Sequence, residues 1–399
     1  MAPDRQEAAE AQSRRARIAV AALFLTNGAV FANLLPRYPE IKTDLGMSNS
    51  AYGVAVAAFS AGALAAGLSA AALIRRYRSS RVAVVGTIGI GAFVLLAGVA
   101  TSPVLLAAGL FAAGACDAVT DVAQNAHGLR VQRIYGRSII NSLHAVWAAG
   151  AIVGGMMGGT ALALGIPRAL HLGFSAVLCS VIVIVAYRFL LPGSDHADHR
   201  EEPADRAGGA GGAVYAALLA LVLIAVAGAM VEDAGNSWAV LYLRDALGAP
   251  GPIAVSGYIA VVTFLFIGRL VGDPLVDRFG ERTVVRTGGA ITAIGMGLAL
   301  AFPSVAGTIA GFAMAGLGAA TLVPSAMHAA DQLPGLQAGS GLTILTWLMR
   351  IGFLVAPVLI GVIADATSLR TGLLVVPIAG IAVVLLSGVL SARRRQARS

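Results

Sequence analysis

Charge is scarce in this chain. Only 12% of its 399 residues are Asp, Glu, Lys or Arg, about half the share of an ordinary soluble domain. The deficit is uneven, because the charges sit in short clusters between apolar runs. Lysine is almost absent: Lys42 stands alone, followed by Thr43 but without the glycines of a phosphate-binding loop, which argues against direct ATP hydrolysis. No H-E-x-x-H occurs, and His196 and His199 fall in a polar segment that reads as solvated rather than metal-binding. Cys116 and Cys179, the only cysteines, both lie inside apolar runs, so no structural disulfide is expected. Residues 1–17 are polar and basic, and the run after them has no small-residue cleavage site where a signal peptide would need one. Neither a cofactor, a metal nor an enzyme activity is expected from these features.

Apolar sequence is what remains. Twelve runs are visible, at 18–35, 51–73, 82–101, 103–126, 139–164, 170–191, 214–238, 253–276, 284–302, 304–326, 339–364 and 370–391. Each is close to the ~20 residues needed to cross a hydrocarbon core of about 30 Å. Backbone groups in lipid must bond within their own segment, so each run is expected to be a helix. The fold class expected is an all-α polytopic membrane protein, with twelve transmembrane helices in two pseudo-symmetric six-helix bundles.

The net charge of +8 does not mark a nucleic-acid binder, because the basic residues form no single face; they alternate along the chain. Twenty-one fall in alternate segments: Arg5 to Arg17, Arg75 to Arg81, Arg130 to Arg137, Arg188 to Arg206, Arg278 to Arg286, and Arg393 onward. Five fall in the segments between, namely Arg37, Lys42, Arg168, Arg244 and Arg370. The positive-inside rule then puts both termini in the cytoplasm of a multi-pass inner-membrane protein. The segment 327–338 breaks the pattern, having neither Arg nor Lys.

Residues 192–213 are polar, charged and rich in Gly and Ala, so they read as a cytoplasmic linker. The organisation expected is a cytoplasmic tail at 1–17, one bundle at 18–191, the linker at 192–213, a second bundle at 214–391 and a basic tail at 392–399. The halves look like diverged repeats. Gly150-x-x-x-Gly154-Gly155-x-x-Gly158-Gly159 is matched at an offset of 202 by Gly352-x-x-x-Ala356-Pro357-x-x-Ile360-Gly361. The loop after run 1 has Asp44-Leu45-Gly46, and that after run 7 has Asp245-Ala246-Leu247-Gly248. Internal repeats are common in transporter folds.

With twelve runs split six and six about a linker, the chain resembles the major facilitator superfamily. Asp277-Arg278-Phe279-Gly280-Glu281-Arg282 resembles that superfamily's D-R-x-G-R loop signature, with Asp273 where a glycine is usual. In the first half, at Arg75-Arg76-Tyr77-Arg78-Ser79-Ser80-Arg81, the acid is replaced by Arg75 and the glycine by Arg78. Asp121-Val122-Ala123-Gln124-Asn125, Ala32-Asn33-Leu34-Leu35-Pro36, Ser142-Leu143-His144 with Trp147, and Glu232-Asp233-x-x-Asn236-x-Trp238 resemble the fucose-permease-like branch. The resemblance implies alternating access between two bundles around a central cavity.

Ionisable residues inside such helices are costly and usually functional, at about 2.5–3.5 kcal/mol each on insertion scales. Asp117 and Asp121 lie four apart on one face of helix 4, and His144 enters helix 5 at similar depth. An acid near an imidazole is suited to proton coupling; the alternative is a structural polar pair. Glu232 and Asp233 are placed in the outer third of helix 7, and Arg350 near the middle of helix 11, pairing with one of these acids or holding an anionic substrate group. Arg269 and Asp273, one turn apart at the inner end of helix 8, are expected to cluster with Asp277, Arg278 and Arg282 as a gate. Asn27, Asn33, Asn125, Asn236, Trp147 and Trp347 are candidate substrate-facing groups; each is alternatively a core residue. The glycines of helix 5 suit close helix packing. The expected function is proton-coupled transport of a small polar, sugar-like solute; alternatives are export of drugs or metabolites and a non-transporting sensor or scaffold. The expected partners are a small solute, protons and the bilayer, with the chain acting as a monomer.

Overall fold

The computed structural model describes residues 3–135, 139–193, 211–334, 336 and 340–390. All regular structure among them is helical. Twelve spans are long and apolar enough to cross a membrane: α1 Gln12–Asp44, α2 Asn49–Gly67, α3 Ser79–Gly98, α4 Pro103–Tyr135, α5 Ser142–Ala163, α6 Arg168–Tyr187, α7 Gly212–Ala246, α8 Gly251–Phe279, α9 Glu281–Ala301, α10 Val305–Asp331, α11 Ser340–Ala366 and α12 Leu369–Val389. The all-α, twelve-helix expectation holds.

Some spans outrun the apolar runs, whereas α2 stops at Gly67 and a separate short helix, Ala70–Tyr77, follows it. The tail from Pro3 is helical and continuous with α1. Beyond Ala32 that span breaks at a 3-10 turn, Leu35–Arg37, and resumes at Tyr38–Asp44. α4 continues nine residues past the expected end, to Tyr135, and α7 runs on through a π-helical turn, Tyr242–Ala246. Hydropathy loses a helix once it becomes polar, whereas the hydrogen-bond ladder does not. Most of the 192–213 linker, with His196 and His199, and the 392–399 tail lie outside the described residues.

Two compact units result: Met1–Met47 with Ala58–Arg200, and Ser48–Ala57 with Glu201–Ser399. The first turns of α2, within Ser48–Ala57, group with the C-terminal unit.

Each unit is built on close glycine crossings, and these repeat. A Cβ on Gly114 of α4 would lie 1.9 Å from the Phe59 carbonyl oxygen of α2, and one on Gly316 of α10 would lie 2.3 Å from that of Val261 of α8. Both members of the second pair are offset by 202 from the first. In α5, Cβ atoms on Gly150 and Gly154 would lie 2.1 and 2.3 Å from the carbonyl oxygens of Leu25 and Ala29 of α1. The helix 5 glycines therefore serve packing. Gly352 of α11 meets Val226 of α7 in the same way, at 2.8 Å.

Buried polar groups tie helix ends within each unit. His127 of α4 is fully buried. Its Nε2 accepts from Leu191 N at 3.2 Å, so its Nδ1 carries the proton and donates to Ser79 Oγ at 2.9 Å. Arg130 donates to the carbonyls of Pro192 and Gly193. In the C-terminal unit, the 327–338 segment that lacks Arg and Lys carries His328, whose Nδ1 lies 2.5 Å from Glu281 Oε1.

Candidate functional site

The polar interior of the N-terminal unit forms two strings between α1, α4 and α5. In the first, Asn27 is buried and nearly saturated. Its Nδ2 donates to Asp117 Oδ1 at 3.0 Å. Its Oδ1 accepts from Trp147 Nε1 at 2.8 Å and, at the limit of 3.5 Å, from Gln124 Nε2. In the second, Asn125 Nδ2 donates to Asp121 Oδ1 at 3.0 Å and to the Asp121 carbonyl at 2.9 Å. That orientation turns Asn125 Oδ1 toward His144, 3.1 Å from its Nε2, so Nε2 must be the N–H donor. The His144 ring meets Phe24 edge-on, centroids 5.4 Å apart.

Asp117 and Asp121 share a helix face, but Asp117 accepts from Asn27 of α1 while Asp121 accepts from Asn125 on its own helix. Asp121 and His144 are joined through Asn125. Asp121 and Asn125 are half-buried and His144 is exposed, so this string joins an acid, a bridging amide and an imidazole that solvent reaches in part.

Asn33 behaves differently from the expectation of a substrate-facing group. It is fully buried, its Oδ1 accepting from His171 Nε2 at 2.8 Å and Ser175 Oγ at 3.0 Å, its Nδ2 donating to the Ala29 carbonyl at 2.8 Å. The break after Ala32 exposes backbone carbonyls, and Asn33 is consumed in tying that break to α6. His171 and Ser175 carried no signal in the sequence, since both sit in an otherwise apolar run.

In the C-terminal unit two of the expected charges pair with each other. Glu232 Oε2 pairs with Arg269 Nη2 at 3.2 Å. Glu232 lies fourteen residues before Ala246, about 21 Å at 1.5 Å per residue, and Arg269 eighteen residues after Gly251, about 27 Å. The pair therefore joins α7 and α8 away from the ends of both helices. Asp233 is buried, accepting from Ser237 Oγ at 3.3 Å. Asn236 and Arg350 are half-buried, and Trp347 is 53% exposed.

The expected gate does not assemble as one cluster among the described residues. Arg269 is taken by Glu232. Arg278 lies over the Phe279 ring at 5.3 Å. Arg282 donates to the carbonyls of Leu390 and Gly388 at 2.9 and 2.7 Å, capping the end of α12. Asp273 and Asp277 are exposed. The reason is depth: Arg269 stands ten residues before Phe279, about 15 Å above the signature loop.

The family model of the Major Facilitator Superfamily matches residues 20–273 and 254–399. The chain belongs to the Major Facilitator Superfamily. This superfamily member is 28% identical over 375 residues to the uncharacterized transporter y4wD of Sinorhizobium fredii (strain NBRC 101917 / NGR234), covering 93% of this chain and 97% of that one. It superposes on the nucleoside transporter NupG with a TM-score of 0.72 at 13% identity, covering 93% of this chain and 97% of that chain. It also superposes on the E. coli fucose:proton symporter FucP, with a TM-score of 0.58 at 17% identity, covering 94% and 98%. At those identities the likeness is one of fold, and the fucose-type protein is one neighbour among several. As a Major Facilitator Superfamily member with twelve spans, the chain is a multi-pass membrane transporter.

Proposed function

We propose that this transporter is a secondary carrier that moves a small polar, sugar-like solute across the inner membrane by alternating access, driven by a proton gradient. The observation that carries the proposal is the Asp121–Asn125–His144 string. An acid held mid-membrane at an energetic cost, joined by one amide to an imidazole, forms a unit that takes up and releases a proton as solvent access changes sides. Asp121 is the titrating group, and Asn125 holds His144 in register with it. Asp117, through Asn27 and Trp147, forms the neighbouring wall, where an indole face suits a sugar or other ring. On the second unit, Glu232 with Arg269, and Arg350, supply polar contacts to the solute. Termini in the cytoplasm agree with the distribution of arginines, and the working unit of the proposal is the monomer. FucP, named a fucose:proton symporter, supports the proton-driven reading by its likeness in fold alone.

The test is reconstitution in liposomes with an imposed pH gradient and a screen of sugars, acids and cationic dyes. Accumulation that disappears in Asp121→Asn is the expected result. Undiminished gradient-driven accumulation in that variant removes Asp121 from coupling, and counterflow without pH dependence makes the protein a facilitator. Accumulation of cationic dyes in place of sugars makes it an exporter.

A further inference from the structure

One carboxylate in the C-terminal unit has no counter-group. Asp233 of α7 is 8% exposed. Ser237 Oγ satisfies its Oδ1 at 3.3 Å, while its Oδ2 has no hydrogen-bond partner among the described residues. Neighbouring Glu232 already holds Arg269. The remaining titratable or charged groups on the interior of elements packed against α7 are Tyr258 on α8, Arg350 on α11, His328 near the inner end of α10, and Tyr52 on α2; the segment Val375–Leu386 of α12 has none. None of them forms an ion pair with Asp233. An ionised Asp233 would set a second, unsolvated negative charge beside Glu232, whereas the neutral acid would not.

The same stretch of α7 lies under the outer turns of α2. Tyr52 donates its hydroxyl to the Ser237 carbonyl at 2.8 Å, and its ring meets Trp238 edge-on, centroids 5.0 Å apart. The start of α2 is fastened to α11. Asp365 accepts from Asn49 N at Oδ1, 2.9 Å, and from Ser50 N at Oδ2, 2.8 Å, so one carboxylate satisfies two free N–H groups of a helix N-terminus. This is the segment, Ser48–Ala57, that belongs with the C-terminal unit while the rest of α2 does not.

We propose that Asp233 is a second proton-binding carboxyl of the transporter, kept neutral beneath the outer turns of α2, and that Asp365 is the clasp that holds those turns over it. When the clasp opens, Asp233 exchanges its proton with water at the outer end of the span: the carboxyl O–H gives the proton to water and leaves a carboxylate, and the reverse step reloads it before closure. This goes beyond the Asp121 reading and does not depend on it.

Infrared spectroscopy of the full chain in proteoliposomes, without substrate, tests it. At neutral pH a carboxylic-acid C=O band is expected that Asp233→Asn removes and Asp121→Asn leaves in place. Its shift on transfer to deuterated water is expected to be about fivefold faster in Asp365→Ala, the effect of losing one helix cap. Asp365 is exposed, so this variant folds whatever Asp233 does. A spectrum unchanged by Asp233→Asn overturns the proton site, and an exchange rate unchanged by Asp365→Ala overturns the clasp. Loss of transport in Asp121→Asn with an intact band at Asp233 leaves this proposal standing, and an inactive band with Asp121-dependent transport sinks it alone.

Discussion

Arg78 and Gly280 stand 202 residues apart and close the helices Ala70–Tyr77 and Gly251–Phe279 with nearly the same backbone, φ +74°, ψ 145° and φ +82°, ψ 152°. Each N–H bonds back four residues, to Ile74 and Val276, at 2.8 Å. The repeat therefore extends to the torsions of its signature loops. In the first half the position that glycine fills cheaply is occupied by the one non-glycine residue of positive φ among those described.

Arg78→Gly is expected to stabilise the protein by about 1 kcal/mol, because such backbone strain costs on the order of 1–3 kcal/mol with a side chain present and glycine gives part of that back as chain entropy. Thermal unfolding in detergent measures it. A midpoint at or below that of the wild type would mean the loop relaxes around Arg78 without strain.

Gly150→Ala places a Cβ 2.1 Å from a backbone oxygen of α1, which cannot turn aside as a side chain does. A destabilisation of about 1–3 kcal/mol is expected from overpacking. Gly173→Ala on α6, whose Cβ would meet nothing within 4 Å, is the control and should be neutral or slightly stabilising.

Asn33→Ala strands the His171 N–H and the Ser175 hydroxyl in a dry interior. The expected cost is about 2 kcal/mol of stability, with the transport constants of the surviving folded protein unchanged. A selective rise in KM with normal stability would return Asn33 to the substrate.

Asn125→Leu removes the link between Asp121 and His144 but leaves both groups in place. Gradient-driven uptake should fall about tenfold, the consequence of ~1.4 kcal/mol of lost orientation. Counterflow should fall less. Equal losses in both assays would make the string a packing element.

For Glu232 and Arg269, a double-mutant cycle separates pairing from individual roles. Each single change to Gln should cost about 1 kcal/mol, discounted because Arg269 is 38% exposed. Together they should cost less than their sum. Strict additivity would show that the 3.2 Å contact carries no coupling.

Twelve spans, their six-and-six division and the glycine faces were legible in the amino-acid order because each depends on neighbours in the chain. Hydropathy adds up along about twenty consecutive residues, and a glycine that admits a second backbone recurs at helical spacing. The repeat was legible for the same reason: Gly150 and Gly352, or Arg78 and Gly280, are fixed positions in a count. Partner choice was not. Ending α7 at 238 rather than Ala246 moved Glu232 outward by eight residues, about 12 Å, enough to hide Arg269 as its partner and to suggest Arg350 in its place.

What the chain order decides here is which segments enter oil and which acids they carry in with them, since transfer from water is a property of each segment by itself. Tertiary structure alone decided that Asn125 stands between Asp121 and His144, that Asn33 turns inward to His171, and that the first turns of α2 go with Asp365. Those pairings depend on the depth and rotation of one helix against another, and an error of one turn in either replaces every neighbour a side chain has.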